Sequence, residues 1–522
     1  MLNFINSNMQ KFWIIILLFF IRRVDCQEVK TITYDDAINI ALSESYTIQS
    51  YRESLRSMQF SYQYYKAMFK PRLDMNLFTP SWNESVSPVY QANALPVYNS
   101  NGSVQFGTNL KFTYILPTGG NLALYSVLYR ENLRTTLASE NYTTLRTQQA
   151  FSQFGISFEQ PIFTKNTLRE NLKEAEYQFK ISTSSFTRQQ MNIIYNVTLG
   201  FYSLYKATSE MEISRDKLKN SEDTYRIAKL KSETGRIPEG DMLIAEVALA
   251  QNKAQLSENL GKMEREKDNF KQLIGLDILQ QIEIITDIKY DIFPVDLKKA
   301  LDEALNKRLE INESEYEIKL QEIQLDRAKR ERELKGKISG YYDINGLSTL
   351  GSGSTDQLFR SSIDNFVQRP PNRGVTLTIS LPISDWGRGK AKVQKAKAEL
   401  NNVLLSRENK TNTIIKEVRD IVRTIEESRN RLDIHKKNQE VAQKSYNVSL
   451  LRFENGDITS QQLATEQERL SENQLAYLDT YITYQLAIVD LKRKTMWDFQ
   501  NNRSYLEGMN NETSISSNQK DK

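Results

Sequence analysis

"LKSETGRIPEGDML" (residues 230–243) and "LRFENGDITSQQL" (residues 451–463) carry the same local event in two distant places. Each sets a Gly-x-Ile, Gly235 to Ile237 and Gly456 to Ile458, into long, charged, otherwise Gly-poor sequence. A glycine just past a helix end supplies the left-handed conformation that closes it. Pro238 is tolerated in the first turn of a following helix, and Thr459 with Gln462 matches a capping box. Each stretch therefore predicts a helix–helix corner.

The likeness extends outward. "FGISFEQPIF" (154–163) matches "VTLTISLPIS" (375–384), and 74 residues separate Pro161 from Gly235 and Pro382 from Gly456. Upstream, "AINIALSESYTI" (37–48) matches "ALDEALNKRLEI" (300–311). The order in both halves is helix, strands ending in Pro, long helix, corner, returning helix. One repeat spans 27–290 and the other 291–500, the order that a duplication leaves. The runs after each Pro are rich in Lys, Glu, Gln, Ala and Leu with no internal Pro, as helix formers should be. Seventy-odd helical residues extend roughly 110 Å. The first return ends near Gly275, and a second helix is expected over 296–334. The prediction is a rod with strands at one end and both corners at the other.

The chain has 522 residues but only 20 Gly and 11 Pro, so breaks are scarce and elements long. Basic and acidic residues nearly cancel, 69 against 65, which gives no clustered basic face for nucleic acid. The one long apolar run, "FWIIILLFFI" (12–21), has the length of a signal-peptide core and is too short to span a bilayer. Residues 1–26 are expected to be a signal peptide cut after Cys26, with lipidation of Cys26 as the rival reading. A single cysteine excludes an internal disulfide. The polar stretch 501–522 is expected to be disordered.

Strict alternation marks the strands. Val375, Leu377 and Ile379 interleave with Thr376, Thr378 and Ser380; Phe154, Ile156 and Phe158 interleave with Gly155, Ser157 and Glu159. Val104, Phe106, Leu110, Phe112 and Tyr114 form a third such series. One face is apolar and one polar, as in a soluble sandwich or a membrane barrel. The second half offers two strands and the first two to four. So few cannot close a membrane barrel, which needs about eight, and an open edge cannot exist in lipid. A membrane reading requires several chains to share one barrel.

"TITYDDAINIAL" (31–42), "LPISDWGRGKA" (381–391) and the duplicated corners resemble the TolC-like outer-membrane efflux family, over about residues 31–498. The resemblance implies a mainly helical chain whose strands enter a trimeric, twelve-stranded β-barrel, four strands per chain, continued by a periplasmic helical tunnel. It implies the outer membrane as location, with barrel residues against its lipid. It also implies a homotrimer whose tip docks a periplasmic adaptor and an inner-membrane RND or ABC transporter. The corners Gly235, Arg236, Ile237, Gly456, Asp457 and Ile458 would form that tip. Acidic side chains ring the entrance in the family; here Gln461 stands at the corresponding place, and Asp457 and Glu466 are the neighbouring acids. Val375, Leu377 and Ile379 would face lipid. The "LPTGG" hairpin (116–120) departs from the family, giving strand-like runs beyond the barrel's four.

No nucleophile elbow, P-loop or dinucleotide fingerprint occurs, and "GSGSTD" (351–356) reads as a flexible loop. His435, the sole histidine, has no metal-ligand partner at helical spacing and reads as an exposed helix residue. No catalytic residue, cofactor or metal is expected. The function expected is a passive exit duct for efflux or type I secretion. A periplasmic adaptor or a coiled-coil scaffold is the alternative.

Overall fold

The computed structural model describes residues 29–138, 141–285, 293–350 and 354–505. The signal-peptide stretch with Cys26, and the tail beyond residue 505, lie outside the described residues. Two compact units emerge. One takes residues up to 54, 184–312 and from 408 onward; the other takes 55–183 and 313–407.

The first unit is helical. Its short strands β1 (Lys30–Ile32) and β6 (Ile282–Ile284) pair in parallel, Lys30 against Ile282. Helix α1 (Tyr34–Glu44) opens with Thr33, whose hydroxyl and backbone exchange hydrogen bonds with Asp36 in a capping box. The two long helices, α3 (Thr167–Glu233) and α8 (Arg388–Asn455), run 67 and 68 residues and contribute their C-terminal parts here. Each is followed by a return helix of 36 residues, α4 (Glu239–Ile274) and α9 (Ser460–Thr495). The matched lengths are what a duplicated sequence should give. Both returns end in a left-handed residue 40 positions after the corner glycine: Gly275 (φ 87°) and Met496 (φ 53°).

Neither the helix expected over 296–334 nor the opening helix of the first half is continuous. The chain breaks at Ser45, between α1 and α2 (Tyr46–Ala67), and at Arg308, between α5 (Leu297–Lys307) and α6 (Leu309–Arg330). Both break residues adopt extended backbone, ψ 139° and 124°. The offset that matches 37–48 with 300–311 puts Ser45 on Arg308, so the break is duplicated as well. The Ser45 hydroxyl accepts from the Ile48 amide at 3.3 Å. Arg308 instead reaches Glu310 at 3.1 Å and Glu417 at 2.8 Å. An apolar core of Ile414, Val418, Val422, Ile425, Tyr481 and Tyr484 closes over Ala300 and Ala304. Fully burying a side chain of this size contributes about 1.5–3 kcal/mol. Nearby, burial pushes the Tyr34 phenol up to about 12, and its hydroxyl bonds Thr198 at 2.9 Å.

The second unit holds one antiparallel sheet of six strands in the order β2-β3-β4-β5-β7-β8: β2 (Arg72–Gln91), β3 (Ala94–Ile115), β4 (Asn121–Leu137), β5 (Thr143–Ile162), β7 (Lys335–Leu350) and β8 (Asn372–Ser380). The first half supplies four strands and the second two. The runs around "LPTGG", surplus to four strands per chain, are therefore interior members of the sheet: β4 pairs with both β3 and β5 along its length. Residues read as a loop in "GSGSTD" instead start a helix, α7 (Thr355–Asp364), with Ser354 and Gln357 in a capping box. Ser362 of α7 donates to Gly346 O (2.8 Å) and bonds Ser152 (2.9 Å), seating the helix on β7 and β5. In the helical unit, order also persists past Asn501. There β10 (Arg503–Ser504) pairs with β9 (Trp497–Asp498).

Asn166 joins the "LPTGG" turn to the start of α3. Its Oδ1 accepts from the Leu168 and Arg169 amides at 3.0 and 3.2 Å, and its Nδ2 donates to Pro117 O at 3.0 Å. Asn166→Ala loses both functions and should cost about 1 kcal/mol through the cap alone. Asn166→Asp keeps the cap and loses only the turn contact. Thermal unfolding should rank wild type above Asn166→Asp and Asn166→Asp above Asn166→Ala; equal loss in both variants would place all of the effect in the turn.

Candidate functional site: a two-faced strand wall and a paired helix corner

The register of the six strands sorts their side chains onto two faces. One face begins with Ile379, Leu377 and Val375 on β8, opposite Gly336, Ile338 and Gly340 on β7. It continues through Phe158, Ile156 and Phe154 on β5 and Leu122, Leu124 and Ser126 on β4. It ends with Tyr114, Phe112 and Leu110 on β3 and Leu73 and Met75 on β2. The three alternating series read from sequence thus fall on one surface, in register. Farther along the strands this face turns polar, at Arg130 and Gln148, and α7 covers part of it; on β8 the change comes earlier, at Arg373 opposite Tyr342. Arg130 bonds Thr355 of α7 and Gln148, the latter at 2.9 Å.

The opposite face is mostly polar over the same span, with Asp74, Asn76, Lys111, Asn109, Gln153, Lys337, Thr376 and Thr378, while β4 contributes Ala123, Tyr125 and Val127. Its centre is a feature the sequence did not signal. Asp343 is buried there, accepting from Gln153 at 3.0 Å, Asn372 at 2.9 Å and the Tyr125 hydroxyl at 3.4 Å. Each donor comes from a different strand, so this carboxylate ties four strands together on the polar face.

The sheet ends at two open edges, β2 and β8. Val375, Leu377 and Ile379 on β8 are 81%, 56% and 56% exposed, because β8 has a neighbour on one side only. The linker after β8 carries Asp385, whose carboxylate accepts from the Gly389 amide (2.8 Å) and the Gly387 amide (3.1 Å). Those bonds, that of Gly389 first, hold it below the usual carboxylate range. Here "DWGRG" is the start signal of α8.

In the helical unit the two corners are brought together. Gly235 (φ 67°) and Gly456 (φ 89°) close α3 and α8 with the same pair of bonds. Gly235 N donates to Ser232 O and Arg236 N to Lys231 O; Gly456 N donates to Phe453 O and Asp457 N to Arg452 O. This is the Schellman arrangement. The next helix starts one residue later than expected in the first copy, since Pro238 is the N-cap of α4. Thr459 and Gln462 form the expected capping box. Ile237 and Ile458 pack into one cluster with Phe453, Leu463, Ala245 and Tyr446.

A residue absent from the sequence reading connects the corners. Lys231, in the last turn of α3, donates to Phe453 O and lies 5.1 Å from the Phe453 ring centre. It supplies a cation to the C-terminal end of the other long helix, where the helix dipole favours one. Arg236, Asp457 and Gln461 are exposed beside the corners. Glu466 is not equivalent to them: it accepts from Ser445 at 2.8 Å and sits 3.5 Å from Arg469. His435 is half-buried rather than exposed, with its Nδ1 shielded from solvent. Among the described residues no cluster of His, Cys, Asp and Glu could hold a metal, and no helix is long and apolar enough to cross a membrane.

Known proteins match this architecture. A protein described as a probable outer membrane lipoprotein SilC, from Salmonella typhimurium, is 26% identical over 284 residues, 52% of this chain and 56% of that relative's length. Among solved structures, the Campylobacter jejuni CmeC outer membrane channel superposes with a TM-score of 0.66 at 15% identity, over 92% of this chain and 89% of its own. The Neisseria gonorrhoeae MtrE outer membrane channel gives 0.60 at 15% identity over 88% of each chain. The fold is thus that of the outer-membrane channels. The family model for outer membrane efflux proteins covers residues 132–276 and 300–494, more than half of the sequence. The chain belongs to the outer membrane efflux protein family.

Proposed function

We propose that this chain is one subunit of an outer-membrane exit duct, through which a tripartite efflux or type I secretion system passes its cargo. The observation that carries the reading is the two-faced sheet with two open edges. An apolar face beside unsatisfied strand edges is stable in lipid only when copies of the chain close one barrel. The polar face, with Asp343 at its centre, then lines water. Family membership supports a homotrimer, and the two corners of each chain supply the inner tip. There Gly235, Arg236, Gly456 and Asp457 offer an exposed, paired surface to a periplasmic adaptor, with the half-buried Ile237 and Ile458 behind them. An RND or ABC transporter would load the duct from the inner membrane. The test is fractionation: the mature chain should be found in outer-membrane extracts as a heat-resistant oligomer. Recovery as a soluble monomer would sink the proposal.

Faces can be tested residue by residue. Leu377 on the apolar face and Thr376 on the polar face are adjacent on β8, so they share an environment except for direction. Leu377→Arg should lower oligomer yield sharply, since an Arg facing lipid near the midplane costs about 2–4 kcal/mol. Thr376→Arg should assemble nearly normally. Equal losses would overturn the assignment of faces.

At the tip, Asp457 and Glu466 differ in what holds them. Exposed Asp457 can act on passing ions, whereas Glu466 is already satisfied by Ser445. Asp457→Asn should therefore reduce the cation preference of the reconstituted pore, because charges at a constriction act on every ion. Glu466→Gln should change it much less. Single-channel recordings in asymmetric salt decide the matter; the opposite ranking would place the entrance group at Glu466.

A further inference from the structure

The sheet has six strands per chain, and its register specifies how copies join. We propose that β8 of one chain pairs antiparallel with β2 of the next, Ser380 against Arg72 of the neighbouring copy, and that three chains close an eighteen-stranded barrel. This rests on the reading of the chain as a trimeric outer-membrane duct, and adds the seam and the strand number.

The stagger comes from the ladder itself. Arg72 is carried across the sheet through Thr113, Ala123, Ser157 and Tyr341 to Gly374. From Gly374, β8 runs on six residues to Ser380, its last. Arg72 and Ser380 each lie at the strand end from which the chain leads to or from a helix. Joining Ser380 to Arg72 of the next copy therefore spreads six residues of stagger over six strands. One residue per strand is the stagger of a barrel tilted by about 36°. Membrane barrels tilt by about 35–45°.

Parity is a second, independent constraint. Because side chains alternate, an odd stagger would set apolar residues against polar ones at the seam. A stagger of six instead sets Ile379, Leu377 and Val375 against Leu73, Met75 and Leu77 of the neighbouring copy. It also sets Thr376 against Asn76, on the polar face. Pairing is regular on β2 from Arg72 to Phe78, then shifts before Ser81, so the regular part of β2 takes Ser380 to Gly374 of β8, and Arg373 and Asn372 fall at the shift. An even strand count per chain makes every junction antiparallel.

A twelve-stranded barrel of four strands per chain would need β2 and β3 outside the wall and β8 against β4. Yet both sides of β4 are already occupied by β3 and β5. The first hairpin is thus built into the wall. Since barrel diameter grows roughly linearly with strand number, eighteen strands give a lumen about 1.5 times as wide as twelve.

Paired cysteines test this in the full-length protein in outer-membrane vesicles. Asn76→Cys with Thr376→Cys places thiols across the proposed seam on the water-lined face. Tyr125→Cys with Thr376→Cys places them across the seam of the twelve-stranded alternative. Under oxidation the first pair should give a reducible ladder ending at three linked chains, and the second only unlinked chains. The single-cysteine variants control for links other than the designed pair. Linkage through Tyr125→Cys, a ladder that ends at a different number, or no linkage in a heat-resistant trimer would overturn the seam. Absence of any oligomer in all variants and in the wild type would overturn the exit-duct reading itself.

Discussion

The rest of this structure depends on the hydrogen-bonding requirement of strand edges. Every N–H and C=O on an open edge must find a partner, and hydrocarbon offers none. Six strands with alternating apolar and polar faces cannot meet that requirement alone, since β2 and β8 each keep one side unpaired. A soluble protein would cover the apolar face with helices. Here α7 covers only the part where the face has already turned polar, near Arg130 and Ser152. The surface from Leu122 to Leu128 on β4 and from Phe154 to Phe158 on β5 is left for something apolar outside the chain. Lipid on that face and a further copy at each edge satisfy both demands together.

Duplication organises the helical part and stops at the sheet. The long helices, their corners and their returns recur at one offset, 456 − 235 = 221 residues, and the breaks at Ser45 and Arg308 at a longer one, 308 − 45 = 263, because the first half carries more strands between. The strand-bearing insertions do not: four strands and one tight turn in the first half face two strands and α7 in the second. Helix lengths set the level of a shared tip, so a change in one half disturbs the pairing of Ile237 with Ile458. Strand number is freer, because a sheet grows by whole hairpins without altering the strands already paired. The "LPTGG" turn meets the helix at Asn166, one side chain that caps α3 and holds the turn.

Much of this was legible in the sequence for identifiable physical reasons. The corners were readable because left-handed backbone selects glycine, and the capping box at Thr459 because its chemistry is local. The faces of β5 and β8 were readable because alternation is a period of two. The break residues were not: Ser45 and Arg308 are compatible with helix, and only Ile48, Glu310 and Glu417 show what stabilises the extended conformation. Met496 in left-handed backbone carries no composition signal, being held by burial against Met191 and Ile194. Lys231 looked like one of many helix lysines until Phe453 was seen beside it. In "GSGSTD" a signal was available, since Ser354 and Gln357 have capping-box spacing; the glycines before it dominated the reading. The strand total was legible only as a range, two to four in the first half and two in the second, because pairing partners, unlike periodicity, are a nonlocal property.

Electron cryomicroscopy of the oligomer in a lipid nanodisc tests the central claim most directly. A section through the apolar band should show a closed ring of eighteen strands. β2 of each chain should lie beside β8 of the next, with Leu377 toward lipid and Asp343 toward the lumen. A twelve-stranded ring with the β2–β3 hairpin outside it, or a chain whose apolar face is covered by protein instead of lipid, would contradict the account.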